Sequence, residues 1–93
     1  MNKKKLFKAR KKIDLIDKKL FSLIKKRTHI VKYMLNLKKY RNQIIDRKRI
    51  REILLEIKRK SIKNKIDPEI TNRIWRNMIW SYVNFQKKNF KKK

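Results

Sequence analysis

Three basic residues of this chain stand where apolar residues should be. Between Arg10 and Lys38, the residues Ile13, Ile16, Leu20, Leu23, Ile24, Ile30, Val31, Met34 and Leu37 recur at three- and four-residue steps. That spacing marks one face of a helix. Arg10, Arg27 and Lys38 continue the same stripe. A cation on a buried face is costly unless something anionic meets it. The chain holds 32 Lys and Arg against 7 Asp and Glu, so the anion is expected from outside the polypeptide.

The spacing of the three cations limits how they can act together. Arg10 and Lys38 are 28 residues apart, roughly 42 Å along a straight helix at about 1.5 Å per residue. One helix therefore cannot bring both to one small ligand. Arg27 and Lys38 lie about three turns apart, close enough for long side chains to flank a molecule of modest size. Arg10 joins them only from a second copy of the helix running antiparallel. A two-fold axis near Phe21 sets Arg10 of one chain beside residue 32 of the other, an isologous arrangement with two equivalent sites.

The elements that must position these residues follow from composition and punctuation. Ninety-three residues make one domain, spanning 1–93, and a marginal one if alone. A long helix with an apolar stripe from end to end needs a partner, so oligomerisation is expected. The chain has no Gly and one Pro, which leaves few breaks and almost no hairpin chemistry, and the fold reads as all-α. Without Cys there is neither a disulfide nor a thiolate metal site, and the single His29 forms no metal site unaided. No apolar run approaches a membrane span, and the lysine-rich N-terminus leads into an amphipathic helix rather than a signal-peptide core. A cytoplasmic location is expected.

The formal charge of +25 ordinarily suggests nucleic acid or an anionic surface. The lysines argue otherwise. Lys4/Lys5, Lys11/Lys12, Lys18/Lys19, Lys25/Lys26, Lys32 and Lys39 repeat every seven residues opposite the apolar stripe, as the solvated side of a helix does. Nucleic acid is therefore not the expected main partner, and the basic ends at 1–5 and 87–93 are expected to fray.

The first helix is expected from about Leu6 to about Lys39, followed by a short connection through Tyr40, Arg41, Asn42 and Gln43. Asp46 starts a second helix, where its carboxylate complements the dipole. Ile50, Ile53, Leu54 and Ile57 carry its apolar face, and Lys63, Asn64 and Lys65 break it. Asp67-Pro68-Glu69 is a strong helix start: a capping acid, proline in the first turn, then another acid. Ile70, Ile74, Met78, Tyr82 and Gln86 follow at steps of four, with Trp75, Ile79 and Val83 alongside.

Taken in order, these pieces resemble a known family. Arg10-x-x-Ile13-x-x-Ile16-Asp17-x-x-Leu20-x-x-Leu23-Ile24-x-x-Arg27 is similar to the first helix of the all-helical (AroQ) class of chorismate mutases. Lys38 falls where that family has its active-site lysine. Asp46-x-x-Arg49 resembles the start of its second helix, Asp67-Pro68-Glu69 the start of its third, and Gln86 the polar residue near that helix's end. The resemblance implies an intertwined three-helix homodimer, one long helix and two shorter, that converts chorismate to prephenate on the way to phenylalanine and tyrosine. It implies an intramolecular rearrangement needing no cofactor or metal, so that catalysis is positioning and electrostatics. Arg27, and Arg10 from the partner chain, then hold the carboxylates, as guanidinium donors match two oxygens. Lys38 and Gln86 donate to the ether oxygen, and Asp46, Arg49 and Tyr82 line the pocket.

Two positions depart from the family pattern. Ile50 replaces an acid that usually follows the second-helix arginine, and Tyr82 replaces a small hydroxyl residue four before the glutamine. Each site residue also has a plainer reading. Arg27 can snorkel, Lys38 can meet the last carbonyls of its helix, Arg10 can pair with Asp14, and Gln86 can be a surface residue. Trp75, Trp80, Tyr33 and Phe85 read as core or rim aromatics. Two other functions fit the same features: a lyase of the isochorismate pyruvate-lyase kind on this scaffold, or a non-enzymatic basic dimer that binds nucleic acid with steep salt dependence.

Overall fold

The computed structural model describes residues 2–91; Met1, Lys92 and Lys93 lie outside it. Three helices follow one another: α1 (Lys3–Leu37), α2 (Arg47–Lys63) and α3 (Pro68–Asn89), with a 3-10 turn at Arg41–Gln43 between the first two. Among the described residues there is no strand. The chain is all-α, as its composition predicts. Of the basic ends, Lys3–Lys5 and Lys87–Asn89 lie within helices, and Met1, Lys92 and Lys93 lie outside the described residues. At the start, the Asn2 side-chain oxygen accepts from the Lys5 N–H at 3.1 Å, meeting one of the donors a helix N-terminus leaves over.

The chain divides into two compact units, residues 1–31 and 32–93. The first is a single stretch of α1. A lone helix has no core, and here Ile13, Ile16, Leu20, Leu23 and Phe21 are all more than half exposed. Each such side chain gains about 1.5–3 kcal/mol on full burial.

The second unit has a small core of its own. Leu35 from the end of α1, Ile44 from the connection and Val83 from α3 are buried together, with Ile45, Trp80 and Phe90 packed against them. Ile50, Ile53, Leu54 and Ile57 of α2 are half-buried, as the apolar period indicates. Along α2 and α3, the Ser61 and Thr71 hydroxyls meet at 2.6 Å. Ser61 also donates to the Ile57 carbonyl, so a fully enclosed hydroxyl is satisfied rather than stranded.

The face of α3 follows the later part of the step-of-four series and the residues named alongside it, and departs from it at Ile70 and Ile74. Ile79, Val83 and Gln86 are buried, whereas Ile70 and Ile74 remain 55% and 53% exposed. Leu55 and Ile62 of α2 are exposed as well. Two helices packed on each other bury one stripe apiece, and these residues form a second stripe. Tyr33, read as a core or rim aromatic, is also exposed, because it projects from the lysine side of α1. No helix among the described residues is long and apolar enough to cross a membrane.

Asp46 and Asp67 start α2 and α3 as expected, accepting from the N–H groups of Arg49 at 3.0 Å and Glu69 at 2.9 Å. α2 ends at Lys63 with Asn64 as its cap, at the break that Lys63, Asn64 and Lys65 mark in the sequence, but the way it closes is not legible there. Ile66 N–H reaches the Ser61 carbonyl and Lys65 N–H the Ile62 carbonyl, the paired closure of a Schellman motif. Its left-handed position is Lys65, at φ 57°, where a side chain with a Cβ costs roughly 1–2 kcal/mol. Lys65→Gly relieves that strain and loses part of the gain to glycine's greater freedom when unfolded. The denaturant midpoint should rise by the equivalent of about 0.5–1 kcal/mol at constant slope. An unchanged or lower midpoint contradicts the strain.

Candidate active site

Lys38 lies just past the end of α1, its N–H still bonded to the Leu35 carbonyl. Its ammonium does not turn back to the carbonyls of its own helix. Nζ instead donates to Gln86 Oε1 on α3, at 2.7 Å. Lysine has only donors, so the amide must present its oxygen here. The Gln86 NH2 then faces the other way and donates to the Tyr82 carbonyl at 3.3 Å. Gln86 is 8% exposed, which excludes the surface reading. Two residues that sequence spacing singled out separately are thus one hydrogen-bonded pair.

Lys38 and Asp46 line the same cavity of about 800 Å3, together with Arg41, Asn42, Gln43 and Lys87 among others. Burial pushes the Lys38 ammonium below the ordinary value of 10.5, and the Asp46 carboxylate opposes this by favouring the charged form. The sign for stability follows. Between the lowered folded value and 10.5 the unfolded chain holds the proton and the folded chain does not, so stability rises with pH across that interval. Below it the cost of burying the charged form is felt in full.

The other candidates fall outside this cavity's lining. Arg49 is exposed and sits 3.9 Å from Glu52, one turn on. Ile50, where the family pattern has an acid, lines a separate cavity of about 200 Å3 with Leu54 and Trp80. Arg47, Arg51 and Arg76 line it too, so Ile50 leaves these cations without the acid that the family pattern has at this position. Tyr82 is half-buried and contributes its carbonyl to Gln86. Arg27 and Arg10 belong to the 1–31 unit: Arg10 is exposed, whereas Arg27 is half-buried with its Nε shielded from solvent.

Arg41 and Gln43 were read only as connection. Gln43 Oε1 accepts from the N–H groups of Lys39 at 2.8 Å and Tyr40 at 2.9 Å, folding the chain back on itself. Arg41 Nη1 donates to the Lys87 carbonyl at 3.1 Å. No periodic signal could have shown these contacts, since the turn has too few residues to display one.

Asp46→Asn separates two roles of this residue. Asparagine caps a helix about as well as aspartate, so α2 should keep its stability. The pull on Lys38 is lost, and its titration, followed by side-chain NMR, should move to lower pH. An unmoved Lys38 titration rules out an electrostatic coupling between the two.

Residues 9–87 match the family model for chorismate mutase type II. No curated protein and no solved structure matches the chain.

Proposed function

The chain belongs to the chorismate mutase type II family, and from that premise we propose that it catalyses the rearrangement of chorismate to prephenate, in the cytoplasm, as a homodimer with shared sites. The observation that carries the reading is the Lys38–Gln86 pair, a cation and an amide held together beside a cavity in the unit whose described residues form a buried core.

In this reaction an ether C–O bond breaks while a C–C bond forms within one molecule, and the ether oxygen gains negative charge. Lys38 has three N–H donors and commits one to Gln86. The others are available to the oxygen; the Gln86 NH2, which faces Tyr82 in this arrangement, donates to it after the amide turns over. Donors fixed in place before the charge develops need no reorganisation, which is where electrostatic catalysis gains most. The substrate's two carboxylates fall to Arg27 and to Arg10 of the partner subunit, by analogy with the family. Asp46 helps keep Lys38 protonated. Arg49 reaches the substrate by leaving Glu52, a small loss because an exposed pair of this kind contributes about 0.2–1 kcal/mol.

Support for the dimer comes from the apolar side chains left in water. Ile13, Ile16, Leu20 and Leu23 on α1 and Ile70 and Ile74 on α3 are all more than half exposed. A second copy offers the same stripes in return, as an isologous interface requires.

Turnover is read from the loss of chorismate absorbance with purified protein, with isochorismate assayed alongside. Arg27→Ala and Lys38→Ala should each lower kcat/KM by about 10²–10³, the effect of removing one oxyanion-type donor. Parent-like rates in both variants contradict the assignment. Preference for isochorismate with release of pyruvate places the chain with the lyases instead.

Gln86→Glu tests the neutral donor. A carboxylate there accepts from Lys38 but repels charge on the ether oxygen, so activity should survive only under acidic conditions, where the acid can donate. Equal activity at alkaline pH removes Gln86 from the site.

A further inference from the structure

Lys38 and Gln86 are both long, flexible side chains, and the backbone that carries Lys38 is no longer helical. Their 2.7 Å bond joins residues 48 apart in sequence. Freezing two such side chains costs rotamer entropy, so a constant geometry requires that the two backbones be fixed by something else. A second bridge runs between the same two segments. Arg41, three residues after Lys38, donates from Nη1 to the carbonyl of Lys87, the residue after Gln86. Its guanidinium carbon also stands 5.4 Å from the centre of the Phe90 ring. Phe90 in turn packs on Leu35, Ile44 and Val83.

The physical chemistry suits a tether. The Lys87 carbonyl lies in the last turn of α3, where carbonyls have no partner within the helix and carry the negative end of its dipole. Arginine can donate in its plane to such a carbonyl while its flat face meets a ring; lysine has no flat face to lay there. The seat of Arg41 is itself preset, since the Gln43 amide oxygen accepts from the consecutive N–H groups of Lys39 and Tyr40 and so closes the turn around Arg41.

We propose that Arg41 is a positioning residue, which fastens the connection bearing Lys38 to the end of α3 bearing Gln86 and so sets the spacing of the two donors. This rests on the mutase reading. It is distinct from a role in attracting substrate, although Arg41 lines the same cavity as Lys38. Loss of a tether misplaces the donors in the transition state and lowers kcat. Loss of an attracting charge weakens binding and raises KM.

Steady-state turnover of chorismate is measured for Arg41→Ala, Arg41→Lys and Phe90→Leu, each at a temperature where circular dichroism shows the variant folded. Arg41→Ala should lose about 10–100-fold in kcat, with KM within about threefold of the parent, as expected for a misplacement near 1 Å. Arg41→Lys keeps the charge and should still lose at least half of that effect on a logarithmic scale. Phe90→Leu leaves every charge in place and should lower kcat in the same sense. If Arg41→Ala does not fold, the other two variants decide.

A raised KM at parental kcat, restored by lysine, overturns the inference in favour of an attracting charge. Parental kcat and KM with only a lower melting temperature reduces Arg41 to a contributor to folding and overturns it too. Failure of the underlying reading shows separately. In that case the parent does not turn over chorismate, or Lys38→Ala is as active as the parent, and the inference falls with it.

Discussion

An ammonium group held partly out of water sets the terms for the unit formed by residues 32–93. Lys38 loses hydration on burial, and that loss is tolerable only if its donors find acceptors and its charge finds an opposite charge. Gln86 Oε1 supplies the acceptor at 2.7 Å and Asp46 the charge. Each partner is fixed by its own local rule. Asp46 is held as the cap of α2 and Gln86 by its amide's bond back to Tyr82. A site of this kind does not need many residues. It needs a cation kept where water would otherwise have solvated it.

The long helix presents the complementary problem. Its apolar stripe runs from Ile13 to Leu37, interrupted by Arg27, yet among the described residues of the 1–31 unit none is buried. Isolated helices are marginal in water, and most helical stability in proteins comes from packing an amphipathic face. The exposed isoleucines of α3 repeat the problem on a smaller scale. In the proposed dimer a second copy of the chain would cover both and would place Arg10 of one subunit within reach of the other's site. Folding and catalysis would then depend on the same association.

Much of this could be read from the sequence wherever a local rule sufficed. The starts of α2 and α3 were visible because capping acids and an N-terminal proline act within one turn. Lys38 and Gln86 stood out because each broke or ended an apolar series. What stayed hidden depends on contacts far apart in the chain. The step-of-four series gave no sign that Ile79 and Val83 would be buried while Ile70 and Ile74 were not, because helix packing chooses the face. Arg41 lay in a segment too short for any period, and its partner Lys87 is 46 residues away. The break after α2 was visible at Lys63, Asn64 and Lys65, but its left-handed closure at Lys65 was hidden for a simpler reason. A left-handed residue is usually announced by glycine, and this chain has none.

The central claim, a site completed across two chains, is tested most directly by mixing two inactive variants. Arg10→Ala and Arg27→Ala are unfolded together in equal amounts and refolded, so that about half of the dimers are mixed by random pairing. In a mixed dimer one site receives Arg10 from the Arg27→Ala chain and Arg27 from the Arg10→Ala chain, and the other site lacks both. Activity should therefore recover to about a quarter of the parent value, by that counting for an isologous dimer. No recovery, with mixed dimers shown to have formed, contradicts the account, because two arginines acting within one chain leave every site in the mixture short of one.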